Sequence, residues 1–473
     1  MHVLLRISLL ISLLPVAFGL VGCGAGETPP VAAPTPVVIV QTVEVPVKVE
    51  STRIVEQQVI VTATPSPPTP CHARTLSETN EIVIGALVPL SGRSATGGLP
   101  MQAGITIAVD KLNSEGGIQG KPVRIVTYDT ASNPEIGAQR ASQLITQDCA
   151  VGVIGIYDSD VALTVKEVLH TQKIPGIFVD TYHDEITASL YPEVFRIAPG
   201  MTMFAEMAGK WLHAVGDYNG DGQISAVIVA EDSPYGIKQT EQTVQGLVDQ
   251  GIQHRELLVD LPTNDFSSVI ARIVDMDVIP DAILIRVSGE SGLLLQQQLL
   301  QNGVGPKKET LIVASQSALD DKLFWQIMGE DGLSTVVLRV GPWSGTISEE
   351  GKRFVERYGQ FNPQWPTNAA FGGYDAVRLL GDAIQRSTTL QGEDILIALE
   401  NSEIMLASGR YNFPVRQSNP PEQNTPTYLW HQWQNVPLLY LQYTEINQPA
   451  SAMAVIWPDE YRTSEGPIVI PTQ

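Results

Sequence analysis

The feature that most constrains this chain is a repeated alternation that starts at Glu81, in which a short apolar run is followed each time by an amphipathic stretch of helical length. IVIGALV precedes a helix expected over 101–114, VRIVTYD one over 134–147, and VGVIGIY one over 160–171, after which PGIFVD follows. Beyond Phe195-Arg196-Ile197 the pattern resumes: a helix over 203–215, ISAVIVA, a helix over 236–250, HRELLVD, a helix over 266–276, AILIRV, a helix over 291–302, and TLIVAS. Near-continuous apolar strands alternating with helices specify parallel sheets covered on both faces. The expected fold class is therefore α/β, in two lobes that meet near Pro199. Helical stretches over 349–358 and 369–386 and short strands after Gly409 imply that the chain crosses between the lobes more than once.

The ends differ in composition. MHVLLRISLLISLLPVAFGLVGC carries one charge, Arg6, before an apolar run too short to span a bilayer, which reads as a secretory signal over 1–22. The tetrad Leu20-Val21-Gly22-Cys23 resembles a bacterial lipobox, which implies a diacylated Cys23, a tether to the cell membrane and an extracytoplasmic location. A plain secretory cut or an uncleaved anchor helix is the alternative. Residues 23–80 are rich in Pro, Thr and Val and read as an extended stalk; the alternation VIVQTVEVPVKVE also suits a strand, although Pro46 removes a donor. With Cys23 lipidated, Cys71 and Cys149 remain, either as a disulfide or as two free thiols. The lobes are expected at 81–198 with 340–411 and at 199–339 with 412–446, followed by a tail over 447–473.

Charge and motifs limit the functions available. Fifty-one acidic against 29 basic residues give a formal charge of −22, which repels phosphate backbones and argues against nucleic acid as a partner. The seven histidines form no metal-ligand spacing, and the three cysteines include no C-x-x-C pair. No G-x-S-x-G elbow, S-x-x-K, P-loop or dinucleotide fingerprint is present, so a non-enzyme is expected, while plentiful carboxylates leave a glycosidase-like pair open on composition alone. Asp217-Tyr-Asn219-Gly-Asp221-Gly-Gln-Ile-Ser225 matches the first nine positions of a calcium loop, with Ile228 where the twelfth-position Glu belongs. Two readings stand: a structural calcium site on Asp217, Asn219, Asp221 and Ser225, or a polar turn. No other cofactor is expected.

In parallel sheets a ligand sits outside the carboxyl ends of the strands. That rule selects the loops at 91–98, 158–159, 180–183, 232–235, 288–290 and 315–317, ringing an interlobe cleft.

IVIGALVPLSG, GITIAVDKLNSEGGIQGKPVRIVTYDTASNP, QLITQDCAVGVIGIYDS, FRIAP, DSPYG and YDAVRLLGDAI are similar to segments of the solute-binding proteins of branched-chain amino-acid and amide ABC transporters. The resemblance covers about 82–445 and implies the type I periplasmic-binding-protein fold with three hinge crossings. It further implies a small-molecule ligand, ABC permease subunits as partners and a monomer that closes about its hinge; a lipoprotein sensor coupled to a signalling partner would share the fold and site. The family's G-x-x-x-S carboxylate loop corresponds to Gly155 through Ser159, at a helix N-terminus that suits an anion. The carry-over continues with Thr181 and Tyr182, preceded by Asp180, and with Tyr235 over the ligand. Two positions depart from the pattern: Gln316 stands where the family's acid usually meets the ligand ammonium, and Gly97 replaces an aromatic. Asp158, Asp180 or Glu290 would then supply the missing charge, or the ligand is not a simple α-amino acid.

Overall fold

The computed structural model describes Ser77 and residues 79–277 and 279–470, apart from the side chains of Pro234 and Tyr235. Among the described residues, fourteen strands run in chain order as β1 Ile82–Val88, β2 Val123–Asp129, β3 Val153–Gly155, β4 Gly176–Phe178, β5 Val194–Arg196, β6 Ser225–Glu231, β7 Gln253–Val259, β8 Ala282–Arg286, β9 Leu311–Ala314, β10 Val336–Val340, β11 Ile404–Met405, β12 Arg410–Tyr411, β13 Leu438–Gln442 and β14 Ala454–Trp457.

The first sheet has the order β2-β1-β3-β4-β5, parallel throughout. The second repeats that order in β7-β6-β8-β9-β10, also parallel, and extends it with β13 and β14, each antiparallel to its neighbour. β11 and β12 form a separate two-stranded ribbon. The all-apolar runs read from the sequence are strands buried on both faces, as β1 is along its whole length.

Helices cover the sheets because their apolar stripes have nowhere else to go. Helix Asn368–Arg386 lies in the core of the first lobe with Phe371, Val377 and Leu380 fully buried, while Trp211 and Leu212 of helix Met201–Val215 pack on the second sheet. Local signals start several helices. Asn133 accepts the Ile136 N–H at 2.9 Å before Pro134, Ser348 that of Gly351 at 2.9 Å, and Thr367 that of Ala370 at 3.2 Å.

The chain passes between the lobes three times: after β5 into helix Met201–Val215, after β10 into helix Glu349–Gly359, and between Trp433 and β13. Two expected boundaries move. The sequence pattern places residues 412–436 in the second lobe, yet Phe413, Trp433 and Val436 pack in the first core, and Arg196 pairs in bridge register with Gln432. The segment after 446 is not a tail: Ala454–Trp457 forms the outermost strand of the second sheet, and Trp211 Nε1 donates to the Pro467 carbonyl at 3.1 Å. These ties are long-range pairings, which local pattern does not carry.

Among the described residues, no helix is long and apolar enough to cross a membrane. Cys23, Cys71 and the expected stalk up to residue 76 lie outside the described residues. Cys149 is disulfide-bonded.

Candidate functional site

A cavity of about 370 Å³ lies between the two sheets at the carboxyl ends of their strands. From the first lobe it takes Tyr157 after β3, Asp180 and Tyr182 after β4, and Thr367 and Asn368 at the start of their helix. The second lobe contributes Ile285 to Gly289 at the end of β8 and just past it, Ala314 to Ser317 at the end of β9 and just past it, and Leu338 to Val340 of β10. Met201 and Phe204, on the first helix past the crossing, close one side.

Tyr157 reaches the cavity through a strained turn. Gly155 has φ +97°, where a Cβ would crowd the Leu87 carbonyl, and Ile156 adopts φ +63°, an unusual conformation for a β-branched residue. Such backbone costs about 1–3 kcal/mol and is held here by the Ile156 N–H donated to Leu87 O at 2.7 Å. The ring of Tyr157 then occupies the space beside Gly97, where any Cβ would overlap it. The aromatic ring at this part of the wall therefore comes from Tyr157.

Asp180 is the acid of the first-lobe wall. Its Oδ1 accepts the Tyr182 hydroxyl and the Asn368 Nδ2, the latter at 2.7 Å. Burial pushes its carboxyl up to about 6, against the opposing pull of those two donors and of the Arg339 guanidinium. Arg339 is itself buried, and burial brings its guanidinium down to about 10, still cationic at neutral pH. It donates through Nη2 to the Pro366 carbonyl at 2.7 Å and lies 5.2 Å from the centroid of the Trp343 ring.

Asp180, Tyr182 and Gln316 therefore line the cavity as the sequence predicts. Gln316 Nε2 donates to the Leu338 carbonyl, which ties the loop after β9 to β10. Ser159, Asp158, Thr181 and Glu290 stand outside the cavity lining. The Ser159 hydroxyl sits at the helix start as expected, but it accepts the backbone N–H of Tyr182 at 3.1 Å and that of His183 at 3.4 Å. Asp158 is buried, takes the Ser94 hydroxyl and faces Arg93 Nε at 3.5 Å. Thr181 is fully buried, whereas Glu290 points to solvent on helix Gly289–Gln301. The Tyr235 side chain lies outside the described residues; its backbone belongs to helix Pro234–Asp249.

Pattern reading passed over Arg286 and Arg339. The signal was in the sequence, since each places a cation inside or at the end of an otherwise apolar strand, AILIR and VVLRV. A charge in such a run requires a compensating partner or a ligand.

Of the two readings of residues 217–225, the contacts of the described residues support the polar turn. Both carboxylate oxygens of Asp217 are engaged by backbone, accepting the N–H groups of Gly220 at 2.7 Å, Asp221 at 3.0 Å and Gly222 at 2.8 Å. Asp221 caps Gln223 N at 2.8 Å, Asn219 binds the Ile279 carbonyl, and Ser225 belongs to β6. Oxygens turned onto their own loop form an Asx-type turn, not a cation shell. Among the described residues, no group of three or more His, Cys, Asp or Glu is placed to hold a metal.

The periplasmic binding protein family profile matches residues 81–430, and the chain belongs to that family. Its fold is that of type I periplasmic binding proteins. The chain is 28% identical over 235 residues to Leu/Ile/Val-binding protein homolog 7 of Brucella suis, a match covering 48% of this chain and 57% of that relative's length. The isoleucine complex of the branched-chain amino acid transporter substrate binding protein LivJ from Streptococcus pneumoniae superposes with a TM-score of 0.62 at 18% identity, over 79% of this chain and 97% of that one. The leucine binding protein LivK of Thermotoga maritima gives 0.61 at 20% identity, over 80% and 99%. A solute binding protein of Rhodopseudomonas palustris in complex with 3,4-dihydroxybenzoic acid gives 0.59 at 19% identity, over 77% and 92%.

Proposed function

We propose that this chain is an extracytoplasmic solute-binding protein that closes its two lobes over a small polar solute, an amino acid, an amide or a related carboxylate, and hands it as a monomer to the permease of an ABC importer. The observation that carries the reading is the cavity itself: about 370 Å³, walled by strand-end loops of both lobes and reached by three chain crossings. That volume suits a metabolite of amino-acid size. Contacts to both lobes exist together only when the lobes are shut, so a bound solute favours the closed form by its differential affinity.

Tethering at Cys23 and a Cys71–Cys149 bond belong to the same reading. An anchored receptor keeps captured solute beside the permease, and a disulfide would join the stalk to the first lobe close to its entry. Support comes from the lipobox-like tetrad and from the bonded state of Cys149.

The test is calorimetry and small-angle scattering of the purified protein against amino acids, amides and carboxylic acids. A stoichiometric heat accompanied by compaction is expected; no binding across the three classes overturns the reading. Cys23→Ala should release the protein from the membrane fraction, and a non-reducing peptide map should recover residues 71 and 149 together.

A further inference from the structure

At the rim of the cavity the two lobes share a carboxylate. Asp184, in the first-lobe loop after β4, accepts the Gln242 amide Nε2 on its Oδ2 at 3.3 Å, and Gln242 belongs to helix Pro234–Asp249 of the second lobe. Gln239 and Thr243, on the same helix face, line the cavity, while Gln242 stays outside the lining. We infer that Asp184 and Gln242 are positioning residues that set the affinity for solute from outside its site, as a clasp that holds the lobes together before the solute arrives. The inference rests on the solute-binding reading above and names how that site is regulated.

The carboxylate is fixed from the first lobe and from the crossing. Its Oδ2 also accepts the Thr202 backbone N–H at 3.2 Å and the Thr202 hydroxyl at 2.6 Å, in the first turn of helix Met201–Val215, directly past the crossing. The fully buried Arg196 guanidinium stands 3.9 Å from Oδ1 and donates through Nη1 to the His183 carbonyl at 2.8 Å, which ties residues 183 and 184 to β5. A carboxylate at a helix N-terminus, beside a guanidinium removed from water, keeps its orientation. The acceptor is thus in place whether or not Gln242 reaches it.

Thr202 and Gln242 answer differently to hinge motion. Thr202 sits at the pivot, whereas Gln242 is carried by the neighbouring helix. Those two helices move as one body, because Gly246 lets their backbones touch where a Cβ would meet the Ala205 carbonyl. Rotation of the second lobe about the crossings leaves Thr202 beside Asp184 and draws Gln242 away. A hydrogen bond to a carboxylate that exists only in the shut form raises the shut fraction of the empty protein, and apparent affinity scales with that fraction. A clasp that touches no solute scales the affinity of every solute alike.

The experiment places spin labels at exposed positions of the two lobes, through Thr171→Cys and Asp249→Cys, and reads the interlobe distance of the empty full-length protein by double electron–electron resonance. Calorimetry with leucine, glutamate, leucinamide and benzoate runs beside it. Gln242→Leu should shift the distances of the empty protein and weaken each solute that binds by one common factor of about three to ten, while melting like the parent. Gln242→Lys, which sets an ammonium against Asp184, should keep the parent's distances and hold affinity at or above the parent's. Distances unmoved by Gln242→Leu, or affinities within about twofold of the parent's, overturn the clasp and leave solute binding standing. Losses that differ between solutes put Gln242 in contact with the solute and overturn it as well. If no compound binds, the solute-binding reading falls, and the interlobe distance by itself decides the clasp.

Discussion

The Ser159 hydroxyl accepts the backbone N–H of Tyr182 at 3.1 Å, so the residue at the start of helix Ser159–Gln172 braces a wall of the cavity from behind. Tyr182 in turn holds Asp180 through its hydroxyl and meets the Phe204 ring edge-on at 5.3 Å between centroids. Removing the hydroxyl strands a backbone donor. Ser159→Ala is expected to cost about 1–2 kcal/mol of stability in denaturant melts, and to weaken solute binding by less than about tenfold. A stability unchanged from the parent, with affinity lost, would return Ser159 to direct ligand contact.

Gly97 and Tyr157 compete for one volume. Gly97→Ala should displace the Tyr157 ring and cost about 1–3 kcal/mol, the range for overpacking. In the Tyr157→Ala background the same substitution should be nearly neutral. A double-mutant cycle that comes out additive would show that the ring moves aside without cost.

Gln316 ties the loop after β9 to β10 and brings no charge to the cavity. Gln316→Glu loses the donor and adds a carboxylate to the cavity lining. Affinity for a carboxylic acid should fall by titration, whereas that for an amino acid should hold or rise. Equal affinities before and after the change would mean that residue 316 does not sense the solute's charge.

Asp180 gives a pH signature. Its folded carboxyl, pushed up to about 6, holds a proton that an unfolded Asp, near 3.9, has already lost. Between about pH 4 and 6 the native state binds more protons, so this group's contribution makes stability fall as pH rises through that window. Asp375, also raised to about 6 by burial, acts in the same sense and cancels in a comparison of parent with variant. Across the window Asp180→Asn should gain on the parent by about 3 kcal/mol at most. Affinity for a carboxylic acid should rise as the parent is taken from about pH 7 to about 5.5, because protonation removes the Asp180 carboxylate from the lining. An affinity flat in pH would count against Asp180 sharing the cavity's electrostatics.

The turn at 217–222 should be indifferent to calcium. Asp217→Ala removes the acceptor of three backbone N–H groups and should cost about 1 kcal/mol in thermal melts, by the same amount with millimolar calcium or with chelator. A calcium-dependent difference would reinstate the metal.

Strand and helix order was legible because each element carries its own period: β1, β6, β8 and β9 were read as apolar runs, and the starts of helices Glu349–Gly359 and Pro134–Thr146 were placed to the residue. The loops 180–183 and 315–317 were legible too, since strand-end position follows from strand order in a parallel sheet. Tertiary structure alone decided which side chains of those loops face the cavity. Ser159 looks like an anion donor in sequence, but the fold brings the Tyr182 N–H to its hydroxyl from 23 positions away. The D-x-N-x-D-G run looks like a cation loop until its own backbone N–H groups claim the carboxylates. Arg286 and Arg339 lie on separate strands, and they line one cavity only because β8, β9 and β10 are neighbours. Periodicity is local and survives in one dimension, whereas a binding site is a sum of charges and hydrogen bonds between residues far apart in the chain, and packing alone sets which of them meet.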